Sequence, residues 1–187
     1  MRNLTFTTTV FLAGLASAGA AQALTLTSPD IKPGARIGDE QVSDTANGLD
    51  CSGKNISPAL NWSGAPKGTK SFAISVYDPD APTGSGFWHW VVFNIPPEVT
   101  SLPKNAGDPK ANLLPTGAMQ TRNDLSVPGY AGMCPPKGDK PHHYHFEVFA
   151  VDVDKLGPDA NATPAFVRFN LHYHTLAKAT LTGVWSR

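Results

Sequence analysis

Four polar side chains stand at the ends of apolar runs, where a binding site could form: Asp78, His89, His142 and Tyr144. A carboxylate beside an imidazole orients the ring, selects its tautomer and favours its protonated form. Such a ring becomes a directed N–H donor. A phenol adds a neutral donor, and aromatic surroundings that exclude water strengthen every bond made there. One carboxylate, two imidazoles and a phenol therefore point to a pocket that accepts an anion. Asp78-Pro79-Asp80-Ala81-Pro82 gives that pocket a rigid rim. Its two prolines fix φ and remove backbone donors, which holds the carboxylates of Asp78 and Asp80 in place.

Strands must bring these residues together. In 71–77, Phe72, Ile74 and Val76 alternate onto one face, and Asp78 continues it. In 89–95 the run is apolar on both faces, as a central strand requires; period two puts His89 on the face of Val91, Phe93 and Ile95. In 144–150, Tyr144, Phe146, Val148 and Ala150 form the apolar face, and His142 is in phase with them. A hairpin across residues 79–87 would place Asp78 and His89 at the same end of the sheet. With 17 Gly and 17 Pro in short clusters, few segments are long enough for a helix, and the pattern is that of an all-β sandwich or barrel. The helix expected is in 165–181, with Leu176, Ala177, Ala179 and Thr180 on it and Gly183 ending it. Residues 96–141 form a long Pro-, Gly- and Asn-rich stretch, of the kind that serves function or is ordered by close packing.

Composition narrows the function. The 187 residues, 41% hydrophobic and 16% charged, suit one domain, and 15 basic against 15 acidic residues argue against a nucleic-acid partner. Arg2, the apolar stretch from Val10 to Ala21 and the small-x-small Ala21-Gln22-Ala23 read as a signal peptide over 1–23, cleaved near Ala23. The domain then covers 24–187, and the protein is expected in the periplasm or secreted. In an oxidising compartment the two cysteines admit a single pairing, Cys51 with Cys134, contributing about 4 kcal/mol in the chain-entropy picture; two buried free thiols are the rival reading. His143 with His145, and His172 with His174, pair imidazoles on one face if extended, but without a third ligand no metal is expected. Ser85 has no Gly-x-Ser-x-Gly context, and neither a phosphate-cradling glycine loop nor a Cys-x-x-Cys pair is present, so no cofactor is expected.

An ordered set of motifs runs through most of the chain after residue 24. It comprises Asn55 to Trp62 (Asn-Ile-Ser-Pro-Ala-Leu-x-Trp), Asp78 to Pro82, and Trp88-His89-Trp90 through Asn94. Gly129-Tyr130, Gly132, Cys134 to Gly138, His142-x-Tyr144-x-Phe146 and His174-x-Leu176-Ala177 complete it. The set resembles the phosphatidylethanolamine-binding family in its bacterial, Raf kinase inhibitor-like branch. The resemblance implies a mainly β fold, an antiparallel two-sheet sandwich with a few short helices, and a pocket for phosphate-like head groups. Its residues would be Asp78, His89, His142 and Tyr144, with Asp80 and Pro82 shaping the wall and Pro135-Pro136 forming the opposite lip. His143 stands where eukaryotic members carry arginine, and Met133 where bacterial members often carry proline. The chain ends at Trp185-Ser186-Arg187, where eukaryotic members continue beside the pocket.

The function expected is therefore an exported, non-enzymatic protein that binds a small anionic or phosphorylated ligand, a regulator or inhibitor, with affinity falling as pH rises through about 6 to 7. One alternative is a secreted hydrolase in which Asp78 and His89 activate water. The other is an interaction protein acting on a protease or a host component through its loops. The bacterial branch also suggests a homodimer.

Overall fold

The structure, a computed structural model, describes residues 23–45 and 48–187. The expected signal peptide and its cleavage site lie outside the described residues, apart from Ala23. The alternating segments form strands. The large sheet holds β3 (Ser71–Asp78), β4 (Phe87–Ile95), β6 (Met119–Gln120), β7 (His142–Val151) and β8 (Thr175–Trp185), in the spatial order β6-β4-β3-β7-β8. A smaller sheet holds β1 (Thr25–Thr27), β2 (Leu60–Ser63) and β5 (Ser101–Leu102), in the order β1-β2-β5. Every neighbouring pair is antiparallel.

The two sheets face each other across the main core. Leu26, Leu60, Trp62 and Leu102 come from the small sheet, while Phe72, Ile74, Val76, Trp90, Val92, Tyr144, Phe146 and Val148 come from the large one. The far face of the large sheet carries a second core, where Ala73, Val91, Phe93, Phe149 and Val151 meet Val167 and Leu171 of α1 (Pro164–His174). Strands β3 and β7 are thus covered on both sides over most of their length, and the polar groups they bury at mid-strand are partnered. Ser75 donates to Glu147, which also pairs with Lys178 and Arg168.

The helix corrects the sequence reading. Thr163 caps it by accepting from the N–H of Phe166, and Pro164 occupies the first turn. At Thr175 the backbone turns extended, and 175–185 becomes strand. Leu176, Ala177, Ala179 and Thr180 therefore lie on β8, and Gly183 does not end a helix. Helix-compatible side chains are overridden by ten pairings to β7, which satisfy the N–H and C=O groups of what would otherwise be an exposed edge. One α-helix is present among the described residues, where a few were expected. His172 and His174 close α1 rather than lying along a strand. Among the described residues no three His, Cys, Asp or Glu side chains are grouped to hold a metal ion, and no helix is long and apolar enough to cross a membrane.

The stretch 96–141 is ordered by close packing. It contributes β5 and β6, and the Tyr130 hydroxyl donates to the Gln41 carbonyl while Asn123 accepts from the N–H of Leu125 and donates to the Gly129 carbonyl. Cys51 and Cys134 form a disulfide across 83 residues, which ties 49–51 to 134–136.

Candidate functional site

Period two alone would have turned His89 to the wrong side of the sheet. Val91 and Phe93, the face assigned to it from alternation, belong to the core under α1. Strand β4, however, carries an extra residue. Val76 lies opposite Trp90 and Tyr77 opposite Trp88, so His89 has no partner on β3. A β-bulge of this kind re-aims a side chain. The His89 ring comes to lie 5.3 Å from the Tyr144 ring and 4.7 Å from that of Phe87, on the side of the main core. A second irregularity, between the Val92 and Ile95 pairings, likewise moves Ile95 from the face of Phe93 into the main core.

The result is a cavity of about 190 Å³ at one end of β3, β4 and β7. Asp78, His89, His142 and Tyr144 line it together with Pro82, Phe87, Leu125, Gly132, Cys134, Pro135 and Pro136. The structure thus brings together seven of the eight residues singled out above. Asp80 is the exception. Its carboxylate is turned to Lys140 and to the backbone N–H and Nδ1 of His143, and it is absent from the cavity wall. The His143 side chain, followed by its backbone N–H and Lys140, holds the Asp80 carboxyl well below the usual carboxylate range against the opposing effect of burial. Asp80 shapes the rim through its backbone, whose N–H donates to Asp78 Oδ1 at 2.8 Å.

Asp78 sits beside His142 rather than His89. His142 Nδ1 donates to Asp78 Oδ2 at 2.7 Å, and both side chains are almost wholly buried. His89 is anchored differently: its Nδ1 lies 2.8 Å from the carbonyl oxygen of Ala131, which can only accept, so Nδ1 carries the hydrogen. Burial pushes the His89 imidazole below its ordinary pKa, against smaller opposing effects from the Ala131 carbonyl and Asp78. Of the two imidazoles expected to act as cationic or hydrogen-bonding groups, His89 is neutral at neutral pH, because it is desolvated and carries no direct carboxylate contact. Burial, reinforced by Asp78, pushes the Tyr144 phenol above its usual range, so the cavity holds O–H rather than phenolate.

Three buried polar atoms at this cavity make no hydrogen bond within the protein: His89 Nε2, His142 Nε2 and Tyr144 Oη. His142 Nε2 lies 3.4 Å from Asp139 Oδ2, within ion-pair range but out of line for a hydrogen bond. Among the described residues lining the cavity there is no lysine or arginine.

The wall is built to stay in place. A Cβ on Gly132 would fall 2.3 Å from the Ser43 nitrogen and 2.5 Å from the Gln41 carbonyl oxygen, so only glycine lets 131–132 pack close enough to reach His89. The lip is held by the disulfide and by Arg187, whose Nε donates to the Pro135 carbonyl and whose guanidinium also reaches the Asp50 carbonyl. Sequence reasoning missed Leu49, Phe87, Leu125 and Gly132 in the wall, and Arg187 behind it. Gly132 had a signal, as a glycine within a motif. Leu49, Leu125 and the Ala131 carbonyl had none, since their roles arise from chain segments far apart in sequence.

A sequence profile of the phosphatidylethanolamine-binding protein family matches residues 27–186. The chain belongs to that family. Among family relatives it is 49% identical over 174 residues to the UPF0098 protein YbcL of Escherichia coli K12, covering 93% of each chain. It is 45% identical over 161 residues to YbhB of the same organism, covering 86% of this chain and 99% of that one. The crystal structure of E. coli YbcL, described as a new member of the mammalian PEBP family, superposes with a TM-score of 0.84 at 50% identity, over 88% of this chain and 98% of that one. A PEBP homologue from Chlamydia trachomatis superposes with a TM-score of 0.72 at 30% identity, over 89% and 99%. Family membership makes this a small ligand-binding protein with the family's β fold.

Proposed function

We propose that the cavity at the ends of β3, β4 and β7 binds a small acidic group of the phosphate type, and that the protein is an exported binding protein rather than an enzyme. One observation carries this reading: His89 Nε2, His142 Nε2 and Tyr144 Oη are buried, make no hydrogen bond within the protein, and belong to residues that line the same cavity. Buried polar groups are nearly always satisfied, so three left open at one place signal a missing partner. At about 190 Å³ the cavity lies below the 300–1,000 Å³ usual for drug-sized ligands and suits a head group.

The hydrolase alternative loses its central pair, because Asp78 engages His142 and the N–H of Asp80. The Thr83 hydroxyl, another wall residue, is taken up by the Gly86 carbonyl. Export rests on the Arg2-to-Ala23 pattern, with which the Cys51–Cys134 disulfide is compatible through its need for an oxidising compartment.

Calorimetric titration of the purified protein with inorganic phosphate and phosphoethanolamine at pH 6 tests the binding reading. Saturable binding that His89→Ala loses while its unfolding transition stays cooperative supports the cavity as the site. Equal binding by wild type and variant places the ligand elsewhere, and no binding by wild type ends the reading.

A further inference from the structure

An anion site ordinarily presents fixed cations, and among the described residues this cavity presents none. No lysine or arginine is among the described residues of its wall, and one wall residue, Asp78, is a carboxylate. A second carboxylate, Asp139, stands 3.4 Å from His142 Nε2. His89 Nδ1–H is committed to the Ala131 carbonyl, so its buried Nε2 offers a lone pair for as long as the ring stays neutral. The hydroxyl of Tyr144 both donates and accepts. The groups facing His89 are Asp78 from β3, His142 and Tyr144 from β7, and the Ala131 carbonyl and the Gly132 backbone from the loop before β7. Phe87 packs on it from its own strand. None of the neighbours from other elements is a fixed cation.

A fully deprotonated dianion placed here would meet a lone pair and a carboxylate at close range, a repulsion that a low-dielectric site magnifies. A ligand that brings its own acidic hydrogen meets complementary partners instead. We infer that the cavity selects a phosphomonoester or inorganic phosphate in the form that retains a P–O–H, whose hydrogen is donated to His89 Nε2 while Tyr144 donates its hydroxyl to a charged phosphoryl oxygen. The inference rests on the proposed phosphate-type pocket and deepens it. It sets phosphodiesters and sulfate outside the ligand class, since neither has a proton to give near neutral pH. A site built to bond a particular hydrogen rejects analogues lacking it, because its own buried group is then left unpaired.

Calorimetry with methyl phosphate, dimethyl phosphate and sulfate, at pH 5 and pH 7.5, separates proton from charge, because dimethyl phosphate carries the same single charge as the monoprotonated monoester. Inorganic phosphate and phosphoethanolamine, run alongside, distinguish a free-phosphate source from a head-group source by whichever binds tighter. Methyl phosphate is expected to bind at least tenfold more tightly than either dimethyl phosphate or sulfate at both pH values. With a second phosphate pKa of about 6, its binding at pH 7.5 should take up close to one proton, read from the heat in two buffers of unlike ionisation enthalpy, and close to none at pH 5. Its affinity should fall about tenfold per pH unit above that pKa. The ¹⁵N shift of His89 Nε2 should remain that of an unprotonated ring nitrogen when ligand is bound.

Equal affinity for dimethyl phosphate or sulfate overturns the inference, as does methyl phosphate binding at pH 7.5 without proton uptake. Uptake accompanied by a protonated His89 Nε2 also overturns it, since the ring rather than the ligand would then hold the hydrogen. Each of these outcomes leaves the phosphate-type pocket standing. Absence of saturable binding by every probe removes the pocket reading itself and the inference with it.

Discussion

Tyr144→Phe separates a structural from a functional role for the most deeply buried group of the cavity. The side chain is fully buried in the main core, and its ring contacts both His89 and His142. Phenylalanine keeps that ring and deletes only the hydroxyl, which makes no hydrogen bond within the protein. A buried hydroxyl without a partner costs about 1–3 kcal/mol in mutational data. Removing it should therefore leave the unliganded protein as stable as wild type or raise its stability by about 1 kcal/mol. In a domain of 150–250 residues that is a rise of about 2–4 °C in Tm. Binding should move the other way. A hydrogen bond to a charged group contributes about 1.5–3 kcal/mol, so phosphate affinity should fall roughly ten- to hundredfold. Denaturant unfolding and calorimetric titration of the same preparations read both quantities. A variant that loses more than about 1 kcal/mol of stability while binding phosphate like wild type would refute the reasoning, because the hydroxyl would then be bonded within the fold and idle toward ligand.

Three further outcomes follow from the same geometry. Asp78→Ala leaves His142 buried without its carboxylate and should cost about 3–5 kcal/mol in urea unfolding, whatever its effect on binding. Reducing the Cys51–Cys134 disulfide should cost about 2–5 kcal/mol and weaken ligand binding by freeing Leu49 and the Pro135-Pro136 lip; unfolding and titration with and without a phosphine reductant measure both. Because burial lowers the His89 pKa from 6.5, the unfolded chain takes up a proton at this residue before the folded one does. The stability attributable to His89 is then fully present above about pH 6.5 and is lost as pH falls below it, with a slope of at most about 1.4 kcal/mol per pH unit that His89→Gln should abolish.

Much of the site is legible in the amino-acid sequence. Asp78, Pro82, Pro136, His142 and Tyr144 reach the cavity as alternation and the family motifs imply, because β3 and β7 run in regular register from Ser71 opposite Val151 to Tyr77 opposite His145. Regular strands conserve facing, and a period of two then carries a side chain's direction along the whole segment. His89 also reaches the cavity, but for a reason alternation cannot supply. The bulge that turns it depends on how β4 lies against β3, and no local residue pattern announces an unpaired position.

Local pattern determined that the chain is mainly β, that one helix begins near residue 165, and that Asp78, His142 and Tyr144 stand at one end of the large sheet. Tertiary structure alone decided three things. Leu176 to Thr180 are helix-compatible as a segment, yet the open edge of β7 supplies ten pairings that only an extended chain can meet. Asp80 and Asp78 are two residues apart in one rigid turn, yet one faces Lys140 and His143 outside while the other faces the cavity. Asp78 chose His142, leaving His89 to a backbone carbonyl and to burial. Residue types and their spacing set which groups are available. Which group pairs with which, and hence that His89 is left to burial, depends on distance and desolvation, and those exist only once distant segments have packed together.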